Sequence, residues 1–386
     1  MVSRQSHVVI GAGVIGSSLA YQLAAGGHEV TIVDAGEAGH GTTSASFAWV
    51  NSNGKTPQAY ADLNMLGMRA HARQAREFGG RSWFHQTGNV QIVHDAEAMA
   101  VLEAKIDRLR DWDYPVERLT PDRLASLEPS LTLHNPAGGA FYPDEGWIDT
   151  QLMCSSLIEA AIRLGATFLP FHTVTHLTST GQAIATTGDG TETELSTDVT
   201  TLTAGNGIKR IAESIGVDFP IMPTTTSIAA SGRTPEEHPT VGMTCTTTPT
   251  PARLEHIIHT SDVSLRPAVN GGITLTDHST ASRWDIHDPA LWQVPDLLLD
   301  RARRLLPELE TAHIDTVKLG NRVLPNDGVT IADWVDPDRH VFAIATHSGV
   351  TLAAYLAETI ANELTTGTRT PALEQFRLDR FQEATR

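Results

Sequence analysis

The stretch HVVIGAGVIGSSLAYQLAAGGHEVTIVD, residues 7–34, decides the fold. Residues 7–10 form a short apolar run that predicts a β-strand. The next six residues carry glycine at the first, third and sixth positions, Gly11, Gly13 and Gly16, and an apolar helical stripe follows. The run EVTIVD then predicts a second strand that ends at Asp34. Strand, glycine-rich turn, helix and strand within about 30 residues predict a βαβ unit.

In this setting each glycine has its own physical role. Gly11 permits a tight turn, Gly13 lets a pyrophosphate approach the backbone, and Gly16 lets the helix pack closely on the strand. Asp34 is placed to bind the ribose hydroxyls of an adenosine group. The stretch therefore predicts a dinucleotide site, with NAD and FAD both open at this point and a ligand-free βαβ turn as the alternative.

A hydroxyl-rich loop, GTTSAS at residues 41–46, follows the second strand. NAD-binding folds normally continue there into a further helix. A loop of this kind instead suits a longer cofactor whose diphosphate and ring system both lie along it, which favours FAD. The alternative interpretation is a solvated turn.

Composition narrows the class of protein. The chain has 386 residues, 40% of them hydrophobic, with 28 Lys+Arg against 45 Asp+Glu and a net charge of −17. That surface would repel nucleic acid and anionic membranes, and no run approaches the roughly 18 apolar residues of a membrane helix. The two cysteines, Cys154 and Cys245, are far apart, and no signal-peptide pattern precedes the first strand. We expect a soluble, cytoplasmic protein of two domains or one large composite domain.

Elsewhere the patterns are more local. Helices are predicted near 150–164, 290–306 and 349–364, and Asn270-Gly271 indicates a type I′ hairpin. The Thr-rich residues 222–250 are interpreted as edge strands and loops. His256 and His259 would face opposite sides of a strand, so we predict no metal site.

Further motifs complete a resemblance to a known family. They are RLASLEPSL, GAFYPDEGWIDT, LTAGN, SLRPAVNGG, LGNRVLPNDG and ATHSGVTLAAYLAETIANEL. Together with VVIGAGVIGSSLAYQLA and GTTSASFAWVN, the chain resembles the D-amino-acid oxidase/glycine oxidase-like FAD-dependent oxidoreductases. The resemblance implies an α/β fold: a doubly wound Rossmann-like FAD-binding domain (1–85, 145–215 and 315–386) with an inserted antiparallel-sheet substrate domain (86–144 and 216–314).

The resemblance also implies which residues bind FAD. They lie in the glycine-rich turn, the second strand end, the hydroxyl-rich loop, two later strand ends and the start of the last helix, whose N-terminus would face the flavin N1/O2 edge. They are Gly11, Ala12, Gly13, Val14, Ile15, Gly16, Asp34, Ala35, Gly41, Thr42, Thr43, Ser44, Ser46, Val174, Ala204, Gly205, Gly320, Gly349, Val350, Thr351 and Leu352.

Residues for the chemistry follow from the same comparison. Arg322 matches the family's carboxylate-binding arginine, whose planar fork can hold a carboxylate bidentately. Lys318 shares strand parity with Arg322 and could promote the reaction of reduced flavin with dioxygen. His347 could contact the ring or the substrate, and Trp49 and Asn51 would approach the flavin ring or the substrate. Each has a bland alternative as a surface or core residue.

Departures from the family pattern leave the substrate open. Asp34 replaces the more frequent Glu, Val323 replaces a Pro, and Ala332 replaces a Gly. Ala45 occupies the position of the histidine that attaches flavin covalently in some relatives, which favours non-covalent FAD with His40 as a residual candidate.

Three functions are compatible with these patterns. They are oxidation of the C–N bond of a small amine or amino acid by hydride transfer from Cα to flavin N5, a flavin-binding subunit of a hetero-oligomer, and an NAD-dependent dehydrogenase. The electron acceptor, dioxygen or another, and the oligomeric state are not determined by the sequence.

Overall fold

The computed structural model describes residues 4–78, 83–224, 240–277 and 280–383. The strands are β1 (Ser6–Ile10), β2 (Glu29–Val33), β3 (Trp49–Val50), β4 (Phe84–His85), β5 (Asn89–Val93), β6 (Glu117–Leu119), β7 (Gly138–Tyr142), β8 (Gly146–Ile148), β9 (Thr167–Leu169), β10 (Thr173–Leu177), β11 (Ala183–Thr186), β12 (Glu192–Leu195), β13 (Val199–Leu202), β14 (Val241–Thr247), β15 (Ile257–His259), β16 (Ser264–Pro267), β17 (Ile273–Thr276), β18 (Ile314–Asn321), β19 (Ile331–Trp334) and β20 (Val341–Ala345). The helices are α1 (Val14–Ala25), α2 (Gln58–Glu77), α3 (Ala96–Asp111), α4 (Pro121–Leu127), α5 (Thr150–Arg163), α6 (Gly207–Glu213), α7 (Val294–Leu305), α8 (Gly349–Thr366) and α9 (Asp379–Glu383).

The predicted βαβ unit forms the centre of a six-stranded sheet. Its order is β19-β20-β13-β1-β2-β9, parallel except for β19. Leu19 and Leu23 of α1 and Leu356 and Ile360 of α8 are fully buried in the core on one face. On the other face, β10, β11 and β12 form a small antiparallel sheet. Because both faces are covered, β1, β13 and β20 are apolar or buried along nearly their whole length.

The second large sheet has eight strands in the order β18-β14-β17-β16-β15-β5-β7-β6. All its pairs are antiparallel except β15 with β5. Leu298, Leu299 and Ala302 of α7 belong to the core that also contains Leu265 and Leu275 of this sheet. The predicted α/β class with a second, mainly antiparallel sheet is therefore confirmed.

A small three-stranded sheet has the order β3-β8-β4. Each of its strands lies, in the sequence, between strands of the two large sheets. Trp49 of β3 lies opposite Trp147 of β8, and Phe84 of β4 lies opposite Ile148. Its position directly after the hydroxyl-rich loop brings Trp49 to the site described below.

The structure corrects two local predictions. The β16–β17 hairpin exists, but only Gly271 of its turn has a positive φ, +81°. A type I′ turn needs two residues with positive φ, so this turn is of another type. The N–H of Gly271 donates to the carbonyl of Ala268. β14 in the Thr-rich segment pairs with both β17 and β18 and is thus an interior strand. Residues 225–239 of that segment lie outside the described residues.

The proposed division into domains stays a prediction. β18 hydrogen-bonds to β14 and so lies in the eight-stranded sheet, whereas the predicted FAD-binding part begins at residue 315. Across the part of the chain that the structure describes, no helix is long and apolar enough to cross a membrane, and no cluster of potential metal ligands occurs.

Candidate active site

A cavity of about 700 Å³ opens where the carboxyl ends of β1, β2 and β13 meet the eight-stranded sheet and the start of α8. Its position follows from the topology, since parallel strands present their carboxyl ends at one edge. Most residues predicted to bind FAD or substrate line it: Gly11, Gly13, Val14, Ile15, Asp34, Ala35, Gly41, Thr42, Thr43, Ser46, Trp49, Asn51, Val174, Ala204, Gly205, Gly320, Arg322, His347, Gly349, Val350 and Thr351.

The three glycines of the glycine-rich turn have different structural roles. Gly11 has a φ of +104°, a conformation that side chains disfavour. A Cβ at Gly16 would lie 1.8 Å from the carbonyl oxygen of Gly11, so Gly16 serves the packing of α1 on β1 and does not line the cavity. A Cβ at Gly13 would lie 2.9 Å from the Thr43 hydroxyl and would enter the cavity wall. Gly13 therefore keeps the start of α1 open to a ligand.

Asp34 lies at the end of β2 with both carboxylate oxygens engaged by backbone. Oδ2 accepts the Ala12 N–H at 2.7 Å, and Oδ1 accepts the Gly36 N–H at 2.7 Å. These bonds hold the glycine-rich turn against the next loop and place Ala12 outside the cavity lining. The carboxylate still lines the cavity, and its contact with a ribose stays a prediction.

The hydroxyl-rich loop joins the two halves of the site. The Thr43 hydroxyl accepts the N–H of Val14 at 3.3 Å, and the Thr42 hydroxyl donates to the carbonyl of Asn321 at 2.8 Å. A Cβ on Gly320 would lie 2.9 Å from the Cβ of Ala45, so β18 approaches the loop closely. Ser44 instead donates to the carbonyl of Gly41 and does not line the cavity.

The start of α8 forms another wall. Gly349, Val350 and Thr351 line the cavity, and the Thr351 hydroxyl accepts the N–H of Asn51 at 3.3 Å. Leu352, predicted to offer its N–H to the flavin, is buried, and its N–H donates to the carbonyl of Ser348. The prediction for Leu352 is wrong because the helical hydrogen bonds already begin at this residue.

Arg322 lies just beyond β18 with its guanidinium in the cavity wall. Nη1 donates to the carbonyl of Val241 at 2.8 Å, and the group packs over Gly242, where a Cβ would lie 3.3 Å away. Burial lowers the pKa of Arg322, while the charge of Asp277 acts to raise it. His347 lines the same cavity.

Lys318 is the predicted catalytic residue that the structure places elsewhere. It shares strand parity with Gly320 and Arg322, but its side chain is exposed and does not line the cavity. Strand parity predicts which face of the sheet a side chain lies on, but it does not predict how far the cavity extends along the strand. The predicted role beside the flavin is therefore not supported.

Sequence reasoning missed Lys55. This half-buried residue follows β3 and lines the cavity, and its ammonium makes no hydrogen bond or ion pair within the described residues. No motif marks a single lysine in a polar stretch. Among the described residues that line the cavity, Asp34 is the only acidic one, against Lys55, Arg210 and Arg322.

These features fit a dinucleotide cofactor with a ring at one end. The first-turn N–H groups of α1 and α8 have no acceptors within their own helices, and both helix starts line one cavity. Such groups stabilise the pyrophosphate and a negative charge on a ring. Gly13 and Gly320 keep the backbone open at two points where a side chain would intrude.

Comparisons with known proteins agree with this geometry. The family described as "DAO: FAD dependent oxidoreductase" matches residues 6–363. One of the subunits of the opine oxidase of Agrobacterium tumefaciens (strain Ach5) is 26% identical over 386 residues, covering 97% of this chain and 96% of that protein.

Two solved structures share the fold. Glycine oxidase from Geobacillus kaustophilus superposes with a TM-score of 0.80 at 20% identity, covering 97% of this chain and 98% of that one. Iminodiacetate oxidase from Chelativorans sp. BNC1 superposes with a TM-score of 0.78 at 20% identity, covering 96% and 98%.

Proposed function

Because the chain belongs to the DAO family of FAD-dependent oxidoreductases, we propose that it oxidises the C–N bond of a small amine that carries a carboxylate. The observation that carries this proposal is the position of Arg322, whose guanidinium lies in the wall of the same cavity as the starts of α1 and α8. A planar guanidinium in a partly dehydrated site selects carboxylates.

The residues of the cavity then have distinct roles. Arg322 binds the substrate carboxylate and fixes the orientation of the Cα–H bond. The N–H groups at the start of α8 stabilise negative charge on the ring edge, as helix N-termini do. Bound FAD supplies the two-electron acceptor for the amine. Trp49 forms a wall of the substrate space and helps to exclude water.

The charge of the cavity supports a substrate with more than one carboxylate. Lys55 lines the cavity in addition to Arg322. An amine with two carboxylates would pair one with Arg322 and the other with Lys55. The solved relative named iminodiacetate oxidase acts, by its name, on an amine of this class.

Anaerobic mixing of the purified yellow protein with a panel of amines tests the proposal. Glycine, D-amino acids, N-substituted glycines and iminodiacetate should bleach the flavin absorbance, whereas matched amines without a carboxylate should not. Admitting air and measuring peroxide then identifies dioxygen as an acceptor. A flavin that decarboxylated amines reduce equally well would contradict the carboxylate assignment.

Non-covalent attachment of FAD is part of the same proposal. Ala45 lies beside Gly320 in the cavity wall, with no atom that could bond to a flavin. His40 lines the cavity as well. Acid precipitation should release all yellow colour into the supernatant, and colour retained in the pellet would indicate a covalent bond at His40.

A flavin-binding subunit is the second candidate function. The curated relative from the Agrobacterium opine oxidase favours it, because that protein is named as one subunit of its enzyme. In that case the isolated chain would bind FAD, but its flavin would stay oxidised with every amine until a partner was added. The same anaerobic panel separates the two functions.

A cytoplasmic location, inferred from the sequence, stays a prediction.

A further inference from the structure

Glu145 is a buried carboxylate outside the predicted site. It lies immediately before β8 and is 0% exposed. Four side chains donate hydrogen bonds to it, those of Trp49, Asn53, Asn89 and Tyr114. Burying an unpaired carboxylate is strongly unfavourable, so the four donors compensate the cost of placing Glu145 inside the protein.

The two oxygens of Glu145 serve different sides of the structure. Oε1 accepts from Asn53 Nδ2 at 2.7 Å and from Tyr114 Oη at 2.6 Å. Oε2 accepts from Trp49 Nε1 at 2.8 Å and from Asn89 Nδ2 at 3.0 Å. Only the Oε2 side reaches a residue that lines the cavity, Trp49.

The Oε2 side forms a closed ring of contacts around the indole of Trp49. Asn89 Nδ2 donates to Glu145, so its Oδ1 is the acceptor for His259 Nδ1 at 2.7 Å. The ring of His259 lies over Trp49 with a centroid distance of 4.1 Å. Glu145 thus holds Trp49 directly at its N–H and indirectly on its face.

Lys105 balances the charge on the Oε1 side. Its Nζ donates to Asn53 Oδ1 at 2.5 Å and to Gln91 Oε1 at 3.0 Å. Burial raises the pKa of Glu145, while the hydrogen bonds from Tyr114, Asn53 and Trp49 and the charge of Lys105 act to lower it. The carboxylate therefore has a complete set of partners that keep it in place.

We propose that Glu145 is a positioning residue that fixes Trp49 in the cavity wall and thereby sets how tightly the enzyme binds its substrate. This inference rests on the proposed function, because it assigns Trp49 to the substrate space. It predicts that losing Glu145 changes KM far more than kcat, since the acceptor ring and Arg322 are not moved.

A double-mutant cycle tests the coupling. Glu145→Met removes the acceptor and keeps similar volume, and Trp49→Phe removes the donor. Each should raise KM for the best substrate by about tenfold with kcat nearly unchanged. The double variant should match Trp49→Phe alone, because Glu145 acts through Trp49. Effects on KM that multiply in the double variant would overturn the proposal.

Tyr114→Phe is the matched control. It removes a hydrogen bond of similar length from Oε1, together with the acceptor of the Ser52 N–H at 3.3 Å, and leaves both hydrogen bonds to Oε2 in place. This variant should lose stability while keeping the KM of the wild type. A KM raised as far as in Glu145→Met would show that the network acts only through general stability and would overturn the proposal.

A measurement without turnover separates this inference from the proposed function. The chain contains 7 tryptophans, so the FAD-bound protein labelled with 5-fluorotryptophan gives a countable ¹⁹F spectrum, and Trp49→Phe identifies the Trp49 signal. Glu145→Met should shift and broaden that signal, and Tyr114→Phe should not. If Glu145→Met does not fold, Asn89→Ala should give the same change in smaller measure. An unchanged signal overturns the inference even if amines are oxidised, whereas a shifted signal with no amine oxidised overturns only the proposed function.

Discussion

At the scale of single residues, the proposed substrate class depends most directly on the guanidinium of Arg322. If it binds the substrate carboxylate, Arg322→Ala should keep the flavin and lose kcat/KM by about 10²- to 10⁴-fold, as expected for removing one partner of a desolvated charged pair. Arg322→Lys should recover part of that activity, because an ammonium lacks the planar fork.

A decarboxylated analogue is the control for Arg322. It should be equally poor with the wild type and with Arg322→Ala, because it offers nothing to the guanidinium. Thermal melts of both proteins account for the lost bond to the Val241 carbonyl. Equal kcat/KM for acid and amine substrates in both enzymes would make Arg322 a structural residue.

Lys55 allows a second prediction at this scale. Lys55→Met should lower kcat/KM for iminodiacetate by about tenfold or more and leave that for glycine nearly unchanged, because only the former has a second carboxylate to pair with a cation. Lys209→Met is the control, since Lys209 pairs with Asp218 at 3.0 Å on the surface. Equal losses for both substrates would exclude a second carboxylate subsite at Lys55.

At the scale of elements, two glycines at the start of α1 are needed for different reasons. Gly16→Val would drive a side chain into the carbonyl of Gly11 and should both unfold the α1–β1 contact and abolish FAD retention. Gly13→Ala meets only the Thr43 hydroxyl, so it should lose FAD while keeping a near-normal melting temperature. Flavin content and apoprotein melts check both, and full flavin in both variants would contradict the cofactor site.

Gly67 allows α2 to pack closely against the start of α8. A Cβ there would lie 2.3 Å from the carbonyl of Thr351. Gly67→Ala should therefore push α2 away from the start of α8 and lower the free energy of unfolding by about 1–3 kcal/mol. Gly188→Ala, with open space around it, should be neutral in the same urea titration. A neutral Gly67→Ala would show that the two helices separate at little cost.

What the sequence could predict at this scale is what depends on neighbours along the chain. The glycine-rich turn and the start of α8 were both accessible from local pattern. The interior place of β14 was not, because the alternation of Val241, Met243 and Cys245 with small and polar residues indicates a strand but not its neighbours, which are β17 and β18. Lys55 gains its meaning only from the cavity that it lines, and Glu145 only from partners distant in sequence, such as Trp49, 96 positions away.

At the scale of the whole molecule, two buried histidines link stability to pH. Burial lowers the pKa of His71 to about 4, and burial together with the nearby charge of His28 lowers that of His7 to about 4. The folded protein then binds fewer protons than the unfolded chain between pH 6.5 and about 4. The free energy of unfolding should therefore fall as pH falls through that window, by up to about 3 kcal/mol for each histidine.

A variant of His71 isolates one half of this effect. Val350 supplies a carbonyl to His71 Nε2 at 2.7 Å, so the ring nitrogen donates. His71→Gln keeps a donor that does not titrate and should reduce the pH dependence by the share that His71 contributes, measured by urea unfolding between neutral pH and about pH 4.5. An unchanged slope would show that His71 opens to water before the protein unfolds.

The hydrogen bond between Thr42 and Asn321 spans 279 positions, and this fixes when the cofactor can act during synthesis. The ribosome releases the glycine-rich turn early and β18 and α8 late. For most of its translation the growing chain therefore lacks the cavity walls that β18 and α8 supply. FAD can stabilise only a chain whose late segments have emerged. Flavin supply should therefore raise the yield of finished protein without protecting nascent fragments, which until then expose the unpaired strand edges that chaperones recognise.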